Sequence, residues 1–186
     1  MTFFMQPVRR LMHNLVSLAS ADHYLFAPDD LRALVPDISN GAFKTLLSRA
    51  VQAGYLARVC RGLYLYVQVM PSSGLLLFHA AARLRADGFN YLSLETVLSD
   101  AGVISQVPVN WISVMSSGRS TALACGRWGT IEFVHTRQRP EELAPQLSYD
   151  SRCRLWRASV PQALRDMRAT HRNLALVDRS VAHEFV

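Results

Sequence analysis

The stretch Ser39–Tyr66 leaves this chain little freedom in its local structure. Phe43, Leu46, Leu47, Ala50 and Val51 recur at i, i+3, i+4, i+7 and i+8, the apolar stripe of an amphipathic helix. Ser39 or Asn40 supplies an N-cap, and Gly54 stands where such a helix stops. The spacing predicts a helix over residues 39–53. Tyr55–Val59 and Leu63–Val67 follow, rich in β-branched and aromatic side chains and joined by Cys60-Arg61-Gly62. Two such runs around a short glycine-containing turn predict a β-hairpin.

The face of the helix opposite the stripe carries Asn40, Lys44, Thr45, Ser48, Arg49 and Gln52, with no acid among them. Side chains of these types reach base edges and phosphates. A helix, a tight turn and a two-stranded ribbon with Arg58 and Arg61 near its tip is the order of a recognition helix followed by a wing. An ordinary surface helix packed on a hairpin, with a solvated polar face, fits the same pattern.

The segment before this stretch completes the motif. Pro7–Ser20 predicts a first helix with Val8, Leu11, Met12, Leu15 and Val16 inward. Its Arg9 and Arg10 either touch flanking phosphate or belong to a solvated face. Tyr24–Phe26 predicts a short edge strand. Pro28-Asp29-Asp30-Leu31 opens a second helix, with the acids at its positive end and Pro36 as its stop. Asp37–Asn40 is then the turn between two helices of a helix-turn-helix. Residues 1–70 are therefore expected to form a winged helix-turn-helix.

Pro71-Ser72-Ser73-Gly74 is the clearest boundary in the chain. Beyond it the periodicity changes repeatedly. Helices are expected over Leu75–Asp87, Ser93–Gly102 and Pro161–Arg172, with Ser93 as a cap. Short extended structure is expected at Tyr91-Leu92, and strands over Asn110–Ser116, Thr130–His135 and Ser151–Ala158. Cys153, Leu155 and Trp156 should be half-buried in the last strand. Leu174–Val186 should form a short final helix or strand. Residues 75–186 thus predict a mixed α+β domain with a mostly antiparallel sheet, and the whole chain is expected to be α+β.

The 186 residues carry a formal net charge of +6, and of the 20 basic residues only Lys44 is a lysine. Arginine pairs bidentately with phosphate and guanine, so the bias suits a polyanionic partner. A GC-rich genome produces the same bias. Seven basic and four acidic residues in 1–70 give +3, and the rest of the chain carries the other +3, so charge alone does not assign nucleic acid to one half. No apolar run reaches the roughly 18 residues of a membrane span, and no secretory leader is read at the N-terminus, so the expected location is the cytoplasm. Cys60, Cys125 and Cys153 are widely spaced and predict reduced thiols, with Cys60 exposed at the hairpin turn.

Enzyme signatures are missing from the pattern. The six histidines show no metal-ligand spacing, and no phosphate loop or nucleophile elbow occurs. Asp100 and Glu132 are available to a nuclease, but residues 71–186 contain no lysine to complete it. The expectation is a protein without catalytic residues, metal or cofactor.

Asp30-Leu31 through Leu46-Leu-Ser-Arg-Ala-Val-Gln-Ala-Gly-Tyr-Leu56, then Arg58-Val-Cys-Arg-Gly-Leu-Tyr64, resembles the N-terminal winged helix of AbiEi-type antitoxins. These are transcriptional regulators from abortive-infection toxin–antitoxin loci. Tyr91-Leu-Ser-Leu-Glu95-Thr-Val-Leu-Ser-Asp-Ala-Gly102, Gly129-Thr-Ile-Glu-Phe-Val-His135 and Ala158-Ser-Val-Pro161-Gln-Ala-Leu-Arg-Asp166 resemble segments of the same family's second domain. The resemblance implies a repressor that binds repeats of double-stranded DNA in its own promoter. It further implies an antitoxin that counteracts a nucleotidyltransferase-like toxin, in a type IV system where a stable complex is not required.

Three readings stand after the sequence. One is this repressor and antitoxin, loaded as two copies on repeated half-sites by self-association or cooperative binding. Another is a stand-alone winged-helix regulator with an effector-sensing second domain. The third is a winged-helix module that contacts protein and no DNA.

Overall fold

The computed structural model describes residues 6–71, 74–105 and 110–185. Ser72 and Ser73 of the expected boundary, and Val186 of the expected final element, lie outside them. The chain divides into two compact units, Met1–Gly74 and Leu75–Val186.

The first unit runs α1 (Pro7–Leu18), β1 (Leu25–Phe26), α2 (Pro28–Ala33), α3 (Asn40–Gln52), β2 (Leu56–Cys60) and β3 (Leu63–Tyr66). Its three strands form an antiparallel sheet in the order β1-β3-β2. Pro28 starts α2, and Asp30 Oδ2 accepts the Ala27 amide at 2.7 Å, so the acid completes the helix start. Ser39 caps α3 by accepting the Ala42 amide at 3.3 Å. At the other end, Tyr55 N–H donates to Ala50 O and Gly54 N–H to Val51 O, both at 3.0 Å, with Gly54 at φ +75°. This is a Schellman stop, and the positive φ is why a glycine stands there.

Leu11 and Leu15 of α1, Leu31 of α2, and Phe43, Leu46 and Ala50 of α3 share one core with Leu56 and Tyr66 of the sheet. Asn14 Nδ2 donates to Leu34 O at 2.8 Å and joins α1 to the end of α2. Val16, expected inside, is 59% exposed. It sits at the margin of the α1 stripe, and the core closes on Leu11 and Leu15 without it.

The second unit runs α4 (Leu76–Leu84), β4 (Asn90–Leu92), α5 (Leu94–Asp100), β5 (Trp111–Ser116), β6 (Thr121–Ala124), β7 (Thr130–His135), α6 (Pro140–Leu143), β8 (Leu147–Asp150), β9 (Leu155–Ala158), α7 (Val160–Ala169) and α8 (Arg179–Ala182). Its sheet has the order β6-β7-β5-β4-β9-β8. Parallel pairs (β5/β7 and β4/β9) alternate with antiparallel ones (β6/β7, β4/β5 and β8/β9). Among the described residues the protein is therefore a mixed α+β chain with two sheets.

Helix α4 stops at Leu84, short of the expected Asp87, because Asn90 Nδ2 donates to Arg85 O at 2.6 Å and to Gly88 O at 2.7 Å and folds the chain back. Strands β6 and β8 escaped the periodicity because both are sheet edges that bury little, so neither carries an alternating apolar face. Residues 151–154, expected as strand, form the turn between β8 and β9. In that region Cys153 and Leu155 are buried, while Trp156 is 44% exposed and stacks edge-on against Tyr149 at 5.5 Å.

Candidate nucleic-acid interface

Asn40, Lys44, Thr45, Ser48, Arg49 and Gln52 are all exposed on α3. Their spacing of four, five, eight, nine and twelve residues from Asn40 sets them along one side of the helix. Phe43, Leu46, Leu47 and Ala50 are buried on the other side, so the core fixes which side faces solvent. Arg32 stacks on the Phe43 ring at 5.4 Å from its centroid and closes the margin of that core. Thr45 Oγ1 donates to Gly41 O at 3.1 Å, which leaves its methyl and its acceptor lone pairs for a ligand.

The hairpin sits next in the chain, and α3 packs against β2. Arg58 is exposed on β2 across from Tyr64, and Arg61 is exposed at the turn. Gly62 takes φ +83°, a left-handed conformation that tightens the turn to Arg61-Gly62. Cys60 pairs with Leu63 and is only 6% exposed, so it is a core side chain and not the exposed thiol expected from the sequence. Tyr64, half-buried beside Arg58, is a residue of this surface that charge and helical spacing do not flag.

The charge of the unit is divided along the chain. Residues 39–74 hold Lys44, Arg49, Arg58 and Arg61 and no acid, a local +4, while all four acids of the unit lie at or before Asp37. Among the described residues none of these four cations has an ion pair, whereas Arg10 pairs with Asp37 at 3.0 Å. Arg10 is thereby removed from the candidate surface, and Arg9 stays exposed. Exposed cations without counter-charges among the described residues suit a polyanion.

The acids considered for nuclease chemistry each bind a different arginine. Asp100 binds Arg157 at 2.7 Å. Glu132 binds Arg172 at 2.6 Å and accepts Ser113 Oγ at 3.1 Å. No group of three His, Cys, Asp or Glu residues among the described ones could hold a metal ion. His79 is buried, its Nε2 2.6 Å from Arg152 O, and His135 is exposed with Nδ1 3.0 Å from Gly118 O.

The second unit holds a polar cluster that sequence patterns do not reveal. Asp166 is fully buried and accepts hydrogen bonds from Ser93 Oγ at 2.6 Å, Gln162 Nε2 at 2.9 Å and Gln138 Nε2 at 3.1 Å. Ser93 was expected to cap α5, but its hydroxyl goes to Asp166 instead. Burial first, and then the Asp166 charge, push the neighbouring Tyr91 hydroxyl well above the usual tyrosine range.

No helix among the described residues is long and apolar enough to cross a membrane. No protein-family model matches the sequence, and comparison with curated proteins finds no match.

Proposed function

We propose that Met1–Gly74 is a winged helix-turn-helix that binds double-stranded DNA, with α3 in the major groove and the β2–β3 hairpin as the wing. The observation that carries this reading is the acid-free segment 39–74, on which Lys44, Arg49, Arg58 and Arg61 stand exposed and unpaired among the described residues. Asn40, Ser48, Arg49 and Gln52 reach base edges. Lys44 and Thr45 contact phosphate or thymine methyl, and the two wing arginines contact the backbone or the minor groove.

One such helix reads few base pairs, so two copies on repeated half-sites make the functional complex. Together with the resemblance to AbiEi-type regulators, this makes the chain an autoregulating transcriptional repressor. The antitoxin role against a nucleotidyltransferase-like toxin rests on that resemblance alone.

The test is fluorescence anisotropy on DNA from upstream of the protein's own gene, at two salt concentrations. Wild type is compared with the Lys44→Ala/Arg49→Ala/Arg61→Ala variant. Tight, salt-sensitive binding by wild type alone supports the reading. Equal binding by both, or none by either with folding intact, removes α3 and the hairpin from DNA recognition.

A further inference from the structure

A cavity of about 360 Å³ opens in the second unit between the C-terminal half of α7 and the segment that ends in α8. Its apolar wall is Leu164, Leu174, Val177 and Ala182. Arg168, Arg179 and His183 stand on the same lining, and among the described residues no acid does. Among the described residues neither arginine has an ion pair or a hydrogen-bonded side-chain partner. Asp178, the acid next to Arg179 in sequence, is engaged elsewhere: its Oδ1 accepts Ser180 N–H at 2.9 Å and the Ser180 hydroxyl at 2.5 Å.

The far wall is anchored to the body of the unit. Val177 bridges to Ile104, and the Asp178 amide donates to Val103 O at 2.8 Å. Both Val103 and Ile104 are buried, so the wall is tied to the core. The volume falls in the range of small-ligand sites, which are mostly apolar with a few convergent polar groups.

We propose that this cavity binds a small amphipathic carboxylate, its hydrocarbon against Leu164, Leu174, Val177 and Ala182 and its anionic head between Arg168 and Arg179. Guanidinium groups pair bidentately with carboxylate, and an acid-free lining makes an anion the favoured occupant over a neutral or cationic analogue. The site gives the second unit a ligand to sense, and it stands independently of the DNA reading of the first unit.

Isothermal titration of the full chain with octanoate, octanol and octylamine tests it, beside an Arg168→Ala/Arg179→Ala variant. Both arginines are exposed, so the variant folds, which circular dichroism checks. The expected result is saturable binding of octanoate, weaker binding of octanol, none of octylamine, and a loss of about tenfold or more in octanoate affinity in the variant. Absence of octanoate binding at millimolar concentration overturns the proposal. Equal affinity for octanoate and octanol, unchanged in the variant, also overturns it, because that result describes an apolar surface without anion selection.

Discussion

Ser93 donates its hydroxyl proton to Oδ2 of Asp166 at 2.6 Å, across 73 residues of sequence, and both residues are fully buried. The bond ties the start of α5 to α7. The remaining acceptor, Oδ1, is held by Gln162 and Gln138, so the buried carboxylate is satisfied by hydrogen bonds, with no ion pair among the described residues. Leu94, the next residue, takes φ +56°, an uncommon value for a side chain of its type and a sign that the surrounding packing dictates this corner.

Asp166→Ala should therefore destabilise the second unit by about 2 kcal/mol, because it leaves the buried Ser93 hydroxyl without its acceptor, while Gln162 Nε2 keeps Gln138 Oε1 at 3.1 Å. Ser93→Ala should cost about 1–2 kcal/mol, since the carboxylate keeps its amide donors. Urea unfolding followed by circular dichroism measures both. A cost below about 0.5 kcal/mol for Asp166→Ala would show that water reaches this cluster freely.

Gly129 holds a second constraint. It takes φ +119°, and a Cβ there would lie 2.0 Å from the carbonyl oxygen of Asn110. The approach comes from the Thr130–Asn110 hydrogen bond of 2.8 Å, which starts the parallel pairing of β7 with β5. Gly129→Ala should cost about 3 kcal/mol or more, because backbone strain and overpacking add. Thermal unfolding should show the loss in the second unit. A variant that melts with wild type would mean the β5–β7 start relaxes at no cost.

On the candidate DNA surface the cations should differ in kind. Lys44→Ala should weaken binding to every sequence alike and reduce the slope of log K against log salt by roughly one for each phosphate no longer neutralised. Arg49→Ala should cost about 1–3 kcal/mol and relax discrimination at one base pair, as expected of a guanine contact. Stability should change by less than about 0.5 kcal/mol in both, since the two side chains are exposed. Binding measured at several salt concentrations on matched and mismatched sites separates the effects. Identical slopes and identical site preferences in all proteins would exclude α3 as the reading element.

Acid should act on the β8–β9 turn. Burial raises the Asp150 carboxyl, but bonds from the Arg152 side chain and from the Cys153 and Arg152 amides outweigh it and hold the group at about 2. A carboxyl depressed in the folded state stabilises the fold above its unfolded value, near 4, and that stabilisation is lost as pH falls through about 2. Wild type should exceed Asp150→Asn in stability at pH 7, and the gap should close between about pH 4 and pH 2. A gap of constant size across that window would assign the effect to shape and not to charge.

Much of the first unit was legible because its signals are local. The stripe Phe43–Val51 set the period of α3, Ser39 and Gly54 set its ends, and Gly62 set the hairpin turn, each through interactions within a few residues. Once that stripe is buried, the outward positions of Lys44 and Arg49 follow from helical geometry. Tertiary structure decided what depends on distant partners. It placed Cys60 inside, left Val16 outside, and tied Arg10 to Asp37. In the second unit, edge strands β6 and β8 have no buried face to give them a pattern, and their pairing with β7 and β9 is what makes them strands. Ser93 and Asp166 carry no mutual signal in a linear chain, because a hydrogen bond spanning 73 residues exists only after the sheet and α7 have packed.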